Sequence, residues 1–347
     1  MADEEHPTRA GRAHRLEFGL LPNAHNRDFF APAVYSSWEA LLRESGTWRR
    51  DKLLRGFLAG WEAFSSHRVG LIGMALVLAF AAMALAHPIL MATVWNVSTY
   101  HPMVGFDEDA APHPTLPSWK HLLGTDSMGR DVLSQLLYST RTSFGIGLLA
   151  GITATAVATL IAVFAAYYGG TLDMVLMAFS DAFVLMPPQI LLLVLGIIIE
   201  LPWPMLALLY GLFAGLGTQA ITLRAHAASI RVKPFVEYAR LAGGGGWHVI
   251  RVHLLPNMAS MMLVNMMFTV TQSVLVEAIL SFFGRSQIRM SWGTMIWFTQ
   301  TLFHLSPYGT QWHAILPPVL CIMLFCGAFY MVGRALDDTV NPRLLKR

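Results

Sequence analysis

Only 13% of the 347 residues are charged, so any chemistry must come from few places. Gly243, Gly244, Gly245 and Gly246 form a run of the residue type that lets backbone N–H groups cradle a phosphate. Trp247-His248 follows them instead of Lys-Ser or Lys-Thr, and the run lies between polar segments, not after a strand. G-x4-G-K-[ST] occurs nowhere, so the chain should not bind and hydrolyse ATP itself. H-E-x-x-H and G-x-S-x-G are also missing, which argues against an intramembrane metalloprotease or a serine hydrolase. His101, His113, His121, His304 and His313 invite a nickel reading, but they lack tight ligand spacing and several neighbour Pro or Ser. They read as solvated loop histidines, and the nineteen methionines as adaptable core packing. Asp181 and Glu277 stand inside otherwise apolar runs, where ionisable groups are costly and face a pore or partner. At 1.5 Å per residue each lies about 10 Å inside opposite ends of a core about 30 Å thick. They cannot share a proton, and packing or capping roles are expected. No catalytic residue, bound cofactor or metal ligand is expected.

The elements that must position these residues are apolar. Hydrophobic residues make up 55% of the sequence, and six stretches are long enough to cross a hydrocarbon core: 69–92, 143–167, 174–199, 205–223, 258–283 and 313–332. This predicts an all-α polytopic membrane protein. Lys and Arg number nineteen in the N-terminal tail, the 224–257 loop and the C-terminal tail, against five in the 93–142 and 284–312 loops. By the positive-inside rule both termini and the glycine run face the cytoplasm. The net charge of +3 reflects this asymmetry and predicts no nucleic-acid site. No short apolar stretch stands near Met1, so the first span is expected to act as an uncleaved anchor. Within residues 1–68, Leu53, Leu54, Phe57, Leu58, Trp61 and Phe64 recur at helical spacing among Arg49, Arg50, Lys52 and Arg55. That pattern suits a helix lying on membrane lipid at the cytoplasmic interface. Residues 69–335 form the transmembrane domain and 336–347 a cytoplasmic tail. Cys321 and Cys326 lie five apart on diverging faces of one helix and are not expected to pair.

Residues 231–257 are the organising interval. Pro234 suits the first turn of a helix, and Glu237 lies where the positive helix end favours an anion. Phe235, Val236, Ala239, Leu241 and Ala242 give the helix an apolar side, while Arg240 stays polar. The glycines stop it, and a second segment runs from Trp247 to Pro256. Such an elbow between two spans has nothing of its own to bury Phe235, Val236 and Ala239 against, so it is expected to dock on a partner. Glu237-x-Ala239-x3-Gly243 followed by Leu255-Pro256-Asn257 resembles the EAA loop of the membrane subunits of ATP-binding-cassette importers. His253 before Leu-Leu-Pro-Asn is similar to the dipeptide, oligopeptide and nickel branch. Tyr238 departs from the usual alanine, and the glycine run is longer than usual.

A second motif lies more than a hundred residues upstream. Gly124, Thr125, Asp126, Gly129, Arg130 and Asp131 resemble the LGTDxxGRDVLSRLLYGxR signature of the same branch, with Gln135 for Arg and Ser139 for Gly. Thr125 or Asp126 is the expected N-cap of the helix that follows. Its stripe of Val132, Leu133, Leu136 and Leu137 is expected against the bundle or lipid, with Arg130 and Asp131 on the polar side. Tyr168-Gly169-Gly170-x2-Asp173, Pro187-Pro188 and Arg224 also match. Leu216, Ile221 and Ala178 stand where the family carries Trp, Arg and Arg.

The resemblance implies the type I permease fold of a bacterial inner-membrane importer subunit for peptides, or alternatively nickel or another small solute. It implies four partners: a second homologous permease, two ATPase subunits that bind the ATP and Mg, and an extracytoplasmic solute-binding protein. The implied coupling residues are Phe235, Val236, Glu237, Ala239, Arg240, Gly243, Leu255 and Pro256. An ion-coupled carrier acting alone would instead need inverted repeats and midplane ionisable groups. The sequence displays neither.

Overall fold

A computed structural model describes residues 64–110, 112–284, 288–302 and 311–340. The amphipathic segment expected before the first span lies outside these residues except for Phe64, as do His304 and most of the C-terminal tail. Helices dominate, and among the described residues no strand forms. They are α1 (Arg68–Thr93), α2 (Val97–Tyr100), α3 (Val132–Tyr168), α4 (Gly170–Val184), α5 (Pro188–Ile198), α6 (Trp203–Leu216), α7 (Thr218–Arg231), α8 (Pro234–Leu241), α9 (Gly246–Val249), α10 (Leu255–Phe282), α11 (Trp292–Thr301) and α12 (Trp312–Val340).

Among the described residues, four uninterrupted apolar helices are long enough to cross a membrane: α1, α3, α9 running through α10, and α12. Two further pairs of apolar helices are each bent at a break and would cross only as a pair. Proline bends α4 against α5 by 71° at Pro187-Pro188, and α6 meets α7 at 47° across Gly217. Counting each bent pair as one span gives the six expected, and several boundaries move. The helix expected to run towards the second span is the beginning of that span, one helix of 37 residues. The segment expected to stop at Pro256 instead continues through a π turn, Ile250–Leu254, into α10.

The hub is α3, which packs against α1, α6, α7 and α10. At 1.5 Å per residue it is about 55 Å long, well beyond the roughly 30 Å of hydrocarbon, so it joins two distant ends. Lipid is as apolar as leucine, so such helices associate by close packing. Small residues allow it: a Cβ on Gly211 or Gly215 of α6 would lie 2.7 or 2.6 Å from the carbonyl oxygens of Ala150 and Ala154 on α3. Near the start of α3, Phe80, Trp292 and Phe325 meet edge-on at 5.3–5.6 Å and tie α1, α11 and α12 together. Cys321 and Cys326 are both free thiols.

Candidate functional site: a glycine elbow and an opposite polar knot

At the C-terminal end of α3 the chain forms the elbow. Pro234 occupies the first turn of α8, where its missing N–H costs nothing, and Glu237 lies in that turn. The helix ends in a Schellman motif: Gly244 N–H donates to the Ala239 carbonyl and Gly243 N–H to the Arg240 carbonyl, both at 3.0 Å. Gly243 adopts φ +84°, the left-handed value this cap requires, with open space where a Cβ would stand. The π turn follows, with Leu255 N–H reaching back five residues to the Ile250 carbonyl.

The apolar side of α8 is split in two, which corrects the expectation that it has no partner in its own chain. Val236 is fully buried among Ala166 of α3, Ile230 of α7 and Val249, Ile250 and Leu254 beyond the glycines, with Ala239 and Leu255 packed beside it. Periodicity could not reveal this, because the covering surface comes from three distant segments. Arg240 also turns inward, its guanidinium 4.6 Å over the ring of Tyr167. Its Nε is buried with no hydrogen-bond partner among the described residues. Phe235, Tyr238 (71% exposed), Leu241 (78%) and Trp247 (61%) remain uncovered, with Glu237 and Pro256 also exposed. The inner half fastens the elbow to the bundle, and the outer half is exposed. Arg231 adds a tether by donating to the Ala166 carbonyl at 2.8 Å. Arg224 grips Asp173 through two nitrogens, joining α7 to the start of α4 after the Gly169-Gly170 turn.

At the other end of α3, Gly124 to Asp131 close into a knot. Thr125 and Asp131 pair in an isolated antiparallel bridge, and Gly124 and Gly129 take φ +75° and +78°. A side chain on Gly124 would meet the Thr115 carbonyl oxygen at 2.4 Å. Asp126 accepts from the backbone N–H of Met128 and Arg130 at 2.9 Å each. It also accepts from Arg130 Nε at 2.7 Å and Gln135 Nε2 at 2.9 Å. Neither Thr125 nor Asp126 caps α3. Asp131 does, accepting from Ser134 N–H at 2.6 Å, because Asp126 is already committed to Arg130. Arg130 and Asp131 were expected on a polar face but are buried, Arg130 paired with Asp126 and Asp131 with His121. Val132, Leu136 and Leu137 are buried as expected, with Leu133 partly so.

His121 was missed as a site residue. It is buried with Nδ1 2.8 Å from Asp131 and Nε2 2.9 Å from Asp107, and Lys120 Nζ reaches the same Asp107 oxygen at 2.6 Å. Burial works to raise the Asp107 pKa, but hydrogen bonds from Lys120 and His121 outweigh it and hold the carboxyl below its ordinary value. Burial also pushes Asp131 up, and there it prevails over the hydrogen bonds from His121 and the backbone. The other described histidines of this region are equally engaged. His113 contacts Thr125 Oγ1 and the Asp107 carbonyl, His313 contacts the Thr125 carbonyl, and His101 Nδ1 accepts from Met103 and Val104 N–H. His113 and His313 are rivets of the knot and His101 braces its own turn, so none is the solvated loop residue expected.

The two intramembrane carboxylates separate. Glu277 is buried and accepts from Ser281 Oγ and Ser291 Oγ at 2.6 Å each, fastening α10 to the cap of α11. Asp181 is exposed on α4.

The family model described as binding-protein-dependent transport system inner membrane component matches residues 158–346, which include the whole elbow. A protein of Brucella suis biovar 1 named for a peptide transport system permease is 31% identical over 232 residues, 66% of this chain and 75% of that one. A second Brucella suis protein, named as a peptide permease, is 29% identical over 81% of this chain and 89% of its own length. A glutathione transport system permease protein of Pectobacterium atrosepticum is 27% identical over 85% and 94%.

Proposed function

The chain belongs to the binding-protein-dependent transport system inner membrane components, a multi-pass protein of the inner membrane, and on that premise we propose that it is the permease subunit of an ATP-driven peptide importer. The relatives named for peptide and glutathione transport support the substrate class. The observation that carries the mechanism is the split elbow helix. Val236 and Arg240 hold α8 to the end of α3, while Phe235, Tyr238, Leu241 and Trp247 face outward. A short amphipathic helix with one free face is suited to a groove on another protein.

In this reading the elbow lies in the cytoplasm, as the distribution of Lys and Arg supports, and seats on one of two ATPase subunits that bind ATP and Mg. A second, homologous permease completes the pathway, and an extracytoplasmic binding protein delivers peptide near the knot. Closure of the ATPases on ATP draws the elbows together. Because α8 is fastened to α3, the movement passes into the hub helix as a rigid-body displacement and opens the bundle outward. The knot fixes the far end of that helix, so α3 moves as a lever. No residue of this chain performs covalent chemistry.

The test is co-expression with the neighbouring transport genes, purification, and uptake into proteoliposomes. Co-purifying ATPases and ATP-dependent, binding-protein-dependent uptake of labelled peptide are expected. A chain that purifies alone and moves solute on an ion gradient would overturn the reading.

A further inference from the structure

The two bent spans break at the same place. Pro187-Pro188 and Gly217 each lie near the middle of their helix pair, and between them, against α10, is a cavity of about 230 Å³. Tyr210, Thr218, Gln219 and Gln272 supply its polar lining, and Phe183 and Phe213, stacked 6.1 Å apart, form an apolar wall. Among the described residues, no Asp, Glu, Lys, Arg or His lines it.

Gln219 donates from Nε2 to Thr269 Oγ1, which fixes the amide. Its Oε1 is then buried without a hydrogen-bond partner among the described residues. A buried amide oxygen with no donor is costly, and Gln219 is among the residues that line the cavity. The lining as a whole offers an acceptor at Gln219, donors and acceptors at Gln272, Tyr210 and Thr218, and an aromatic plane. That set matches a neutral planar amide and offers no ion pair to a charged terminus.

We propose that this cavity is a transit site for the peptide backbone: Gln219 Oε1 accepts a backbone N–H of the passing peptide, and Gln272 donates to a backbone carbonyl. The site rests on the peptide-import reading. Its volume is below the roughly 300–1,000 Å³ of pockets that enclose a whole drug-sized ligand, so it holds a short segment at a time. Because it reads main-chain groups, it would make transit indifferent to side-chain identity, leaving selection to earlier steps.

The test uses the assembled importer in proteoliposomes, a panel of labelled alanine di- to pentapeptides, and the N-methylated analogue of whichever moves fastest. The binding protein is saturated with either peptide so that discrimination after delivery is measured. Wild type should move the unmethylated peptide about five- to tenfold faster, the difference one neutral hydrogen bond supplies. Gln219→Met should bring that ratio near one. Gln219→Asn, which keeps the amide but withdraws it, should fall between. Gln272→Met should slow both peptides and keep the ratio. A ratio near one in wild type, or unchanged in Gln219→Met, would overturn the site while leaving peptide import intact. Failure of wild type to move any peptide of the panel would overturn the import reading and the site together.

Discussion

The guanidinium of Arg240, on the last turn of α8, lies 4.6 Å over the ring of Tyr167, on the last turn of α3. This contact and the burial of Val236 are what make the elbow part of the bundle. Val236→Ala should loosen the elbow by about 2 kcal/mol, from lost burial plus a cavity, and Tyr167→Leu by about 1 kcal/mol. Neither changes the exposed face. Both variants are therefore expected to retain the ATPase subunits on a pull-down while peptide uptake falls. Loss of the ATPases together with transport would show that the inner contacts serve only docking.

The glycines of the elbow should not respond alike. Gly243→Ala meets no atom but must hold φ +84°, a strain of about 1–2 kcal/mol. Gly244→Ala would place its Cβ 2.6 Å from the Ala239 carbonyl oxygen, the acceptor of the cap, and should be worse. Gly245, at φ −62° and ψ 156° with open space around it, should accept alanine with little change. Thermal unfolding of the three variants, with uptake beside it, gives the order. Equal damage at Gly245 would contradict the assigned geometry.

Two carboxylates around one imidazole should respond to pH in opposite senses. Asp107 is held below its ordinary pKa, so its contribution is present above the unfolded value near 3.9 and is lost as pH falls through the depressed one. Asp131 is raised, so its contribution is present at low pH and is lost as pH rises through the raised value. At neutral pH Asp131→Asn should therefore cost little. Its amide keeps an acceptor for Ser134 N–H and a polar group beside His121 Nδ1. Asp107→Asn removes the partner of Lys120 and should lower the melting temperature by several degrees more. Melting curves from about pH 2 to about pH 8 decide it, and the reverse order of the two variants at neutral pH would refute this account of the knot.

Orientation can be checked at two exposed serines. Ser118 lies next to the knot and Ser229 on the last turn of α7 near the elbow, in stretches with opposite basic content. Maleimide should reach Ser118→Cys from outside the cell and Ser229→Cys only after permeabilisation. Labelling of the second from outside would invert the topology.

Much of this was legible in the sequence. The six apolar runs, the proline bend, the Pro234 start and Gly243 stop of the elbow helix, and the compact Gly124–Asp131 signature are local features, and local patterns report them well. What was hidden depends on residues far apart in the chain. His121 finds its carboxylates ten residues ahead and fourteen behind, with no periodicity to signal them. The burial of Val236 needs α3, α7 and α9 to converge. The N-cap of α3 falls to Asp131 because Asp126, at an equally plausible position, is occupied by Arg130 and Gln135. The continuation through Pro256 required a π turn, which frees the helix from the usual spacing just before the proline.

The split face of α8 is the central claim, and site-specific cross-linking tests it most directly. In the assembled complex, with Cys321 and Cys326 replaced by serine, a single cysteine is placed at Tyr238 or at Val236, labelled with a maleimide that carries a short photoreactive group, and illuminated. Tyr238→Cys should join this chain to an ATPase subunit in high yield, shifting with nucleotide, while Val236→Cys, facing α3 and α7, should give none. Equal yields at the two positions, or none at Tyr238, would contradict the account.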